Sequence, residues 1–153
     1  MGEESWTPPK WMYRDKRPPS DDAYFENMTR VVFLAGLSWK MIDEKWLNFR
    51  KAFKSFHIED VARFGESDIK RLMSDSGIIR NQAKIAATIG NAKQFQNIRK
   101  EYPSFQSYLD SLDKSNNYDL VIKELGKKFN RLGPSSAHIF LYSIGEKVRH
   151  SQG

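Results

Sequence analysis

The sequence of 153 residues contains no cysteine. This absence excludes disulfide bonds, thiolate metal ligands and a cysteine nucleophile. The three histidines, His57, His138 and His150, are not paired at the i, i+4 spacing that places two ligands on one helix face. We therefore expect neither a structural metal nor any other cofactor.

Long apolar runs are also lacking. The longest covers residues 31–37, far short of the roughly 20 residues that a membrane-spanning helix needs. No cleavable signal precedes it, so we expect a protein that works in the cytoplasm and has no contact with a membrane. We also expect a monomer. No stretch alternates apolar and polar residues over a useful length, which argues against β-strands and favours an all-α fold.

Acidic residues are outnumbered, with 19 against 25 basic residues and a net charge of +6. Such an excess is compatible with a polyanionic partner, but many unrelated soluble proteins share it. Its distribution is more informative, because six cations lie close in sequence to Gly133: Lys123, Lys127, Lys128, Arg131, Lys147 and Arg149. The alternative is a simple solvated surface.

Residues 1–19 hold four of the six prolines together with Trp6, Trp11 and Tyr13. This composition predicts an extended arm whose aromatic side chains pack onto the body. Residues 20–153 are predicted to form a single helical domain, with a break at Gly36. Helical spacing of apolar residues places its helices at about 20–34, 38–54, 58–64, 67–74, 81–99, 102–112, 118–128 and 134–148.

A hairpin is predicted at residues 129–136, between the last two helices. Gly133 can turn the chain after Leu132, and Pro134 suits the first position of a helix because it has no amide hydrogen to leave unpaired. The next two amides, those of Ser135 and Ser136, are then free to bind a phosphate at the positive end of the helix dipole. Lys128 and Arg131 are near enough to add charge. An ordinary helix–helix turn is the alternative.

Three sequence blocks occur in a distinctive order: AGLSW at 35–39, NFRKAF at 48–53 and GIIRNQAKIAATIGNA at 77–92. They closely resemble DNA-3-methyladenine glycosylase I of the helix-hairpin-helix superfamily, and the resemblance extends over about 21–145. It implies a bilobed helical fold. It also implies base excision repair of double-stranded DNA containing alkylated bases, in which the enzyme flips an alkylated adenine out of the helix and hydrolyses its N-glycosidic bond.

The resemblance also implies roles for individual residues. Trp39 matches the tryptophan of the family's base pocket, where it would stack on the flipped base. Gly36 and Leu37 match the loop that approaches the gap left in the DNA, which makes Leu37 a candidate wedge. Trp11 and Tyr13 are candidates for further pocket aromatics.

This sequence departs from the family in two respects. The glutamate that contacts the alkylated base is replaced by Val31, so the catalytic residue is not identified. Glu26 does not replace it, because five residues on a helix correspond to about 140° around the axis, and we interpret Glu26 as a solvated carboxylate. The two cysteines and two histidines that clamp the family's termini through zinc have no counterparts here.

Two further functions remain open because of Val31. The alternatives to a 3-methyladenine glycosylase are a glycosylase whose pocket has moved to a neutral lesion, for which an apolar Val31 would suit a larger alkyl group, and a non-catalytic protein that binds DNA or damaged DNA on the same scaffold.

Overall fold

The computed structural model describes residues 7–149. No strand occurs within these residues, which confirms the all-α prediction. No helix among them is long and apolar enough to cross a membrane. The α-helices of this part of the chain are α1 Asp21–Leu34, α2 Trp39–Ala52, α3 Ile58–Ala62, α4 Glu66–Met73, α5 Gln82–Ile98, α6 Phe105–Asp110, α7 Ser115–Lys128 and α8 Pro134–Ser143.

Helix α1 lies at the centre of the fold because it is apolar around most of its circumference. Ser20 caps its first turn by accepting a hydrogen bond from the amide of Ala23 at 3.2 Å. The helix packs against α2, α5, α6 and α8. Its buried apolar side chains belong to one continuous core and are Tyr24, Phe25, Met28, Val31, Val32, Phe33 and Leu34.

Helices α6 and α8 are clearly shorter than the sequence pattern predicts. Helix α6 begins after Ser104, whose side chain caps the amide of Ser107 at 3.0 Å, and therefore starts later than residue 102. Helix α8 ends at Ser143 rather than at 148, because Gly145 has a φ of +88° that no right-handed helix contains. The last residues therefore turn away from the helix axis.

Gly145 marks the place where the amino-terminal arm meets the carboxyl-terminal segment. A Cβ atom built on Gly145 would collide with the carbonyl oxygen of Lys16, so only glycine permits this approach. The amide of Tyr13 also donates to the carbonyl of Ser143 at 2.8 Å. Trp6 lies outside the described residues, and its predicted packing role stays a prediction.

Ion pairs reinforce this junction. Arg17 of the arm binds both oxygens of Asp110 at 2.8 Å. Glu146, whose side chain is almost fully buried, lies 2.9 Å from the Nζ of Lys114 and accepts a hydrogen bond from the hydroxyl of Tyr118 at 2.9 Å. The arm, the end of α6, the start of α7 and the segment after α8 are thus joined by charged and hydrogen-bonded side chains.

Candidate functional site

A cavity of about 460 Å³ opens between the arm, α1 and the start of α2. Ser38 caps α2 by accepting from the amide of Met41 at 3.2 Å, which places Trp39 at the first helical position. Trp39 is 40% exposed, and its ring centroid lies 6.1 Å from that of Trp11. The lining residues of this cavity, hereafter the Trp39 cleft, are Pro9, Lys10, Trp11, Arg30, Leu34, Trp39, Lys40 and Asp43.

Arg30 and Asp43 form an ion pair in the wall of the Trp39 cleft. The guanidinium carbon of Arg30 lies 4.7 Å from the ring centroid of Trp11 and 4.9 Å from that of Trp46. Arg30 is only 5% exposed, and this burial lowers its pKa. Sequence reasoning missed both residues. The available signals were a charged residue within the apolar helix α1 and an acidic residue one turn after Trp39.

The four predicted pocket residues occupy three different environments. Trp39 and Trp11 line the Trp39 cleft together. Tyr13 lines a neighbouring cavity that shares Lys10 and Trp11 with the cleft, and burial raises its pKa, with a further contribution from Glu26. Val31 is 1% exposed and packs in the core rather than in the cleft wall.

Glu26 is not the solvated carboxylate that the sequence predicted. It is half-buried and forms an ion pair with Arg50. It also accepts a hydrogen bond from the indole Nε1 of Trp46 at 2.8 Å. Glu26 lines the neighbouring cavity with Tyr13 and Arg50 and is not among the residues that line the Trp39 cleft, and its carboxylate is already paired.

The turn between α1 and α2 is exposed at Gly36, which has a φ of +79°. Leu37 is half-buried against the core. Lys84 of α5 stabilises the turn, because its ammonium donates hydrogen bonds to the carbonyls of Phe33 at 3.1 Å and Ala35 at 2.7 Å. Lys84 is buried, and this burial lowers its pKa. A residue of the GIIRN block therefore caps α1 and positions the AGLSW block.

In the hairpin, the left-handed residue is Arg131, with a φ of +56°, and not Gly133, which has a φ of −69°. The expectation that Gly133 turns the chain is therefore wrong, because that backbone conformation is open to any residue. A Cβ atom at Gly133 would meet nothing within 4 Å. Glycine here leaves open space beside the first amides of α8, where Pro134 and Ser135 are exposed.

The hairpin is fixed to α5 by paired asparagines. The amide of Asn130 donates to the Oδ1 of Asn91 at 2.7 Å, and the Nδ2 of Asn91 donates to the carbonyl of Asn130 at 3.2 Å. A Cβ atom on Gly90 would come within 2.6 Å of the side chain of Asn130. Leu132 is buried beneath the turn. The GNA end of the third sequence block thus holds the hairpin in place.

Some of the cations near the hairpin are already paired. Lys123 lies 3.1 Å from Asp119, and Lys128 lies 3.8 Å from Glu124 and 5.2 Å from the ring centroid of Tyr108. Arg131 is exposed. The positive charge available to a phosphate at this place is therefore smaller than the sequence count implies, and the exposed Arg131 is the cation nearest to Gly133 in sequence.

Residues 9–139 match the model of the methyladenine glycosylase family. The chain belongs to the methyladenine glycosylase family. It is 39% identical over 75 residues to DNA-3-methyladenine glycosylase 1 of Escherichia coli strain K12, covering 49% of this chain and 40% of that protein. It is 33% identical over 101 residues to DNA-3-methyladenine glycosylase of Haemophilus influenzae, covering 63% and 55% respectively. The chain therefore spans about half the length of these curated relatives.

The methyladenine glycosylase fold is confirmed by comparison with solved structures. A crystal structure of a variant of 3-methyladenine DNA glycosylase I in complex with 3-methyladenine superimposes with a TM-score of 0.78. The match covers 93% of this chain and 86% of that one at 24% sequence identity, and it shows the fold alone.

Proposed function

We propose that this member of the methyladenine glycosylase family is a DNA glycosylase of base excision repair. Its substrate is alkylated adenine of the 3-methyladenine type in double-stranded DNA, and it hydrolyses the N-glycosidic bond after flipping the base. The observation that carries the proposal is the Trp39 cleft. Trp39 lines this cleft with much of its ring exposed, beside Trp11, in a chain of this family.

The cleft suits a base that has left the stack. Flipping costs a few kcal/mol, and stacking on one aromatic side chain returns about 1–3 kcal/mol. Trp39 offers its exposed ring for this contact. Leu37, in the turn just before it, would enter the space that the base vacates, and the amides after Gly133 would hold a backbone phosphate with help from Arg131 and Lys128.

The chemistry demands little acid–base help. An N3-alkylated adenine is positively charged while it is attached to the sugar. When the bond between C1′ and N9 breaks, both electrons pass to the base, which leaves neutral, and the positive charge moves to the sugar. Water then adds to C1′ and its proton is released to solvent. Because the leaving group is already activated, desolvation and stacking can accelerate the step without a cofactor.

Base release from methylated duplex DNA tests the proposal. We expect wild-type protein to release 3-methyladenine, Trp39→Ala to abolish release, and Leu47→Ala to behave as wild type. Leu47 is the matched control because it is another exposed apolar residue of α2, 76% exposed, outside the cleft. Full activity of Trp39→Ala would place the base elsewhere.

The second candidate function is non-catalytic binding of damaged DNA, and it is favoured by Val31 at the position of the family's glutamate. It predicts binding to methylated or abasic DNA without release of any free base. The same assay, run with a gel-shift measurement on the same DNA, separates the two functions. For both candidate functions we propose a monomer that works in the cytoplasm.

A further inference from the structure

The geometry points to Asp43 as the carboxylate that binds the positively charged flipped base, with Arg30 as the residue that positions Asp43. The inference rests on the proposed function and names a specificity-determining residue for it. Asp43 is the only acidic side chain among the described residues that line the Trp39 cleft. It follows Trp39 by four residues on α2, so the two side chains project from the same face, one turn apart.

The carboxylate of Asp43 is open to the cleft. Its side chain is 72% exposed, and its only hydrogen bond within residues 7–149 joins Oδ1 to Arg30. Oδ2 therefore remains available to a ligand. A base stacked on Trp39 would bring its ring within one helical turn of that oxygen, where the amino group or the delocalised charge of an N3-alkylated adenine can meet it.

Arg30 is suited to hold Asp43 rather than to bind the base itself. Its guanidinium lies near the rings of Trp11 and Trp46 and is 5% exposed. Its Nε is buried without a hydrogen-bond partner among the described residues. A buried guanidinium needs a nearby anion, and Asp43 supplies it. The pair thus fixes the rotamer of Asp43 at the cleft wall.

Other charges on the cleft do not replace this contact. Lys10 and Lys40 also line it, but both are exposed at the rim, where solvent and DNA phosphates screen them. Glu26 is paired with Arg50 in the neighbouring cavity. Asp43 therefore provides on α2 the negative charge that the family's glutamate would provide from the Val31 position of α1.

This placement affects substrate selection more than the chemical step. The positive charge lies on the base before bond cleavage and on the sugar afterwards, so a carboxylate near the base stabilises the bound substrate at least as much as the transition state. Loss of Asp43 should consequently raise KM for methylated DNA and leave kcat nearly unchanged.

Two small probes test this role without DNA. One is N3,N9-dimethylated adenine, which carries the charge of the lesion permanently. The other is N9-methyladenine, which is neutral and has the same ring. We expect Asp43→Asn to weaken binding of the charged probe about tenfold or more, the usual effect of losing a hydrogen bond to a charged group. Binding of the neutral probe should be unchanged.

Glu44→Gln is the matched control, because it removes the same charge from the next residue of α2, which is exposed and lies outside the cleft. If Asp43→Asn and Glu44→Gln weaken binding of the charged probe equally, the effect is one of long-range charge, and the proposal is overturned. A wild-type protein that does not prefer the charged probe, or that binds neither probe at millimolar concentration, would also overturn it.

Arg30→Lys and Arg30→Gln test the positioning role. Lysine keeps the charge but lacks the planar fork that stacks on tryptophan, so Arg30→Lys should retain part of the preference for the charged probe and Arg30→Gln should retain less. A purely structural role would lower the melting temperature of both variants and leave the ratio of the two affinities unchanged.

Failure of this inference can be told apart from failure of the proposed function. If wild-type protein releases 3-methyladenine and Asp43→Asn does so with an unchanged KM, the function stands and the role of Asp43 falls. If Asp43 selects the charged probe in a protein that releases no base from DNA, the role of Asp43 stands and the catalytic function falls.

Discussion

Val31, at the position where the family resemblance implies a glutamate, is 1% exposed in the core. Placing a carboxylate there should be costly. We expect Val31→Glu to lower the free energy of unfolding by about 3 kcal/mol, because an unpaired carboxyl would be buried among apolar side chains. Urea unfolding measures this directly. Leu47→Glu, at an exposed apolar position, should leave the unfolding midpoint unchanged.

If Val31→Glu unfolds at the same urea concentration as wild type, its side chain reaches the cleft without penalty. The family's arrangement would then be available to this chain after all, and Asp43 would be a second carboxylate rather than a replacement.

Single residues differ in how far the sequence could place them. Trp39 and Trp11 could be predicted as pocket residues, because Trp39 belongs to a specific motif and Trp11 to an arm rich in aromatic residues. In the structure both line the Trp39 cleft. Arg30 and Asp43 were not predicted, because helical spacing identifies a face but not the partner it meets. Glu26 was misjudged for the same reason, since its partners Trp46 and Arg50 come from another helix.

At the level of elements, α5 supports the two turns proposed to contact DNA. Lys84 caps α1 through the carbonyls of Phe33 and Ala35. Lys84→Met keeps the apolar stem but removes both hydrogen bonds, so we expect the free energy of unfolding to fall by about 1–3 kcal/mol. Affinity for abasic DNA should fall as well, because the turn at Gly36 loses its support.

Lys93→Met is the control for this change, because Lys93 is exposed on the same helix. It removes one positive charge without removing a cap. Should both variants lose DNA affinity equally and keep wild-type stability, Lys84 would act only through its charge.

The hairpin allows a second test at this level. Gly133 has an unstrained backbone and open space at its Cβ position, so Gly133→Val should leave the melting temperature nearly unchanged. It should weaken DNA binding, because a branched side chain would stand between a phosphate and the first amides of α8. Fluorescence anisotropy with an abasic duplex measures the affinity.

Gly65→Val provides the comparison, since Gly65 also precedes a helix and its Cβ position is equally open. Loss of affinity in both variants, or in neither, would show that the hairpin serves only as a structural turn.

Most helices of the described chain could be predicted from apolar periodicity and capping residues, as Ser20 and Ser38 illustrate. The connections were harder. The hairpin is held by a contact between Asn91 and Asn130, which lie 39 residues apart. No local sequence pattern predicts a contact between residues so far apart. The end of α8 depended similarly on Lys16 of the arm, which requires glycine at 145.

For the molecule as a whole, the junction between arm and carboxyl-terminal segment predicts a pH dependence. Hydrogen bonding from Arg17, and then from Lys114, lowers the pKa of Asp110 to about 2 from a usual value near 3.8. Because the folded value is the lower one, the stabilisation is fully present above about pH 4 and is lost as the pH falls toward 2. Asp110 is partly exposed, so we expect about 1 kcal/mol or less.

Urea unfolding of wild type and Asp110→Asn should therefore differ at pH 7 and converge near pH 2. Asp119→Asn serves as the reference, because Asp119 pairs with Lys123, is exposed, and makes none of the contacts described for the junction. A difference between wild type and Asp110→Asn that persists undiminished at pH 2 would contradict the assignment.

Helix α5 also fixes a distance. Lys84 and Asn91 are seven residues apart on one continuous helix, so their supports are about 10 Å apart along its axis at 1.5 Å per residue. The helix thus fixes both the spacing and the relative orientation of the Gly36 turn and the hairpin. A residue inserted between Lys84 and Asn91 would rotate one support by about 100° relative to the other. The two turns would then no longer meet the same stretch of double helix, although every side chain proposed to touch DNA would still be present.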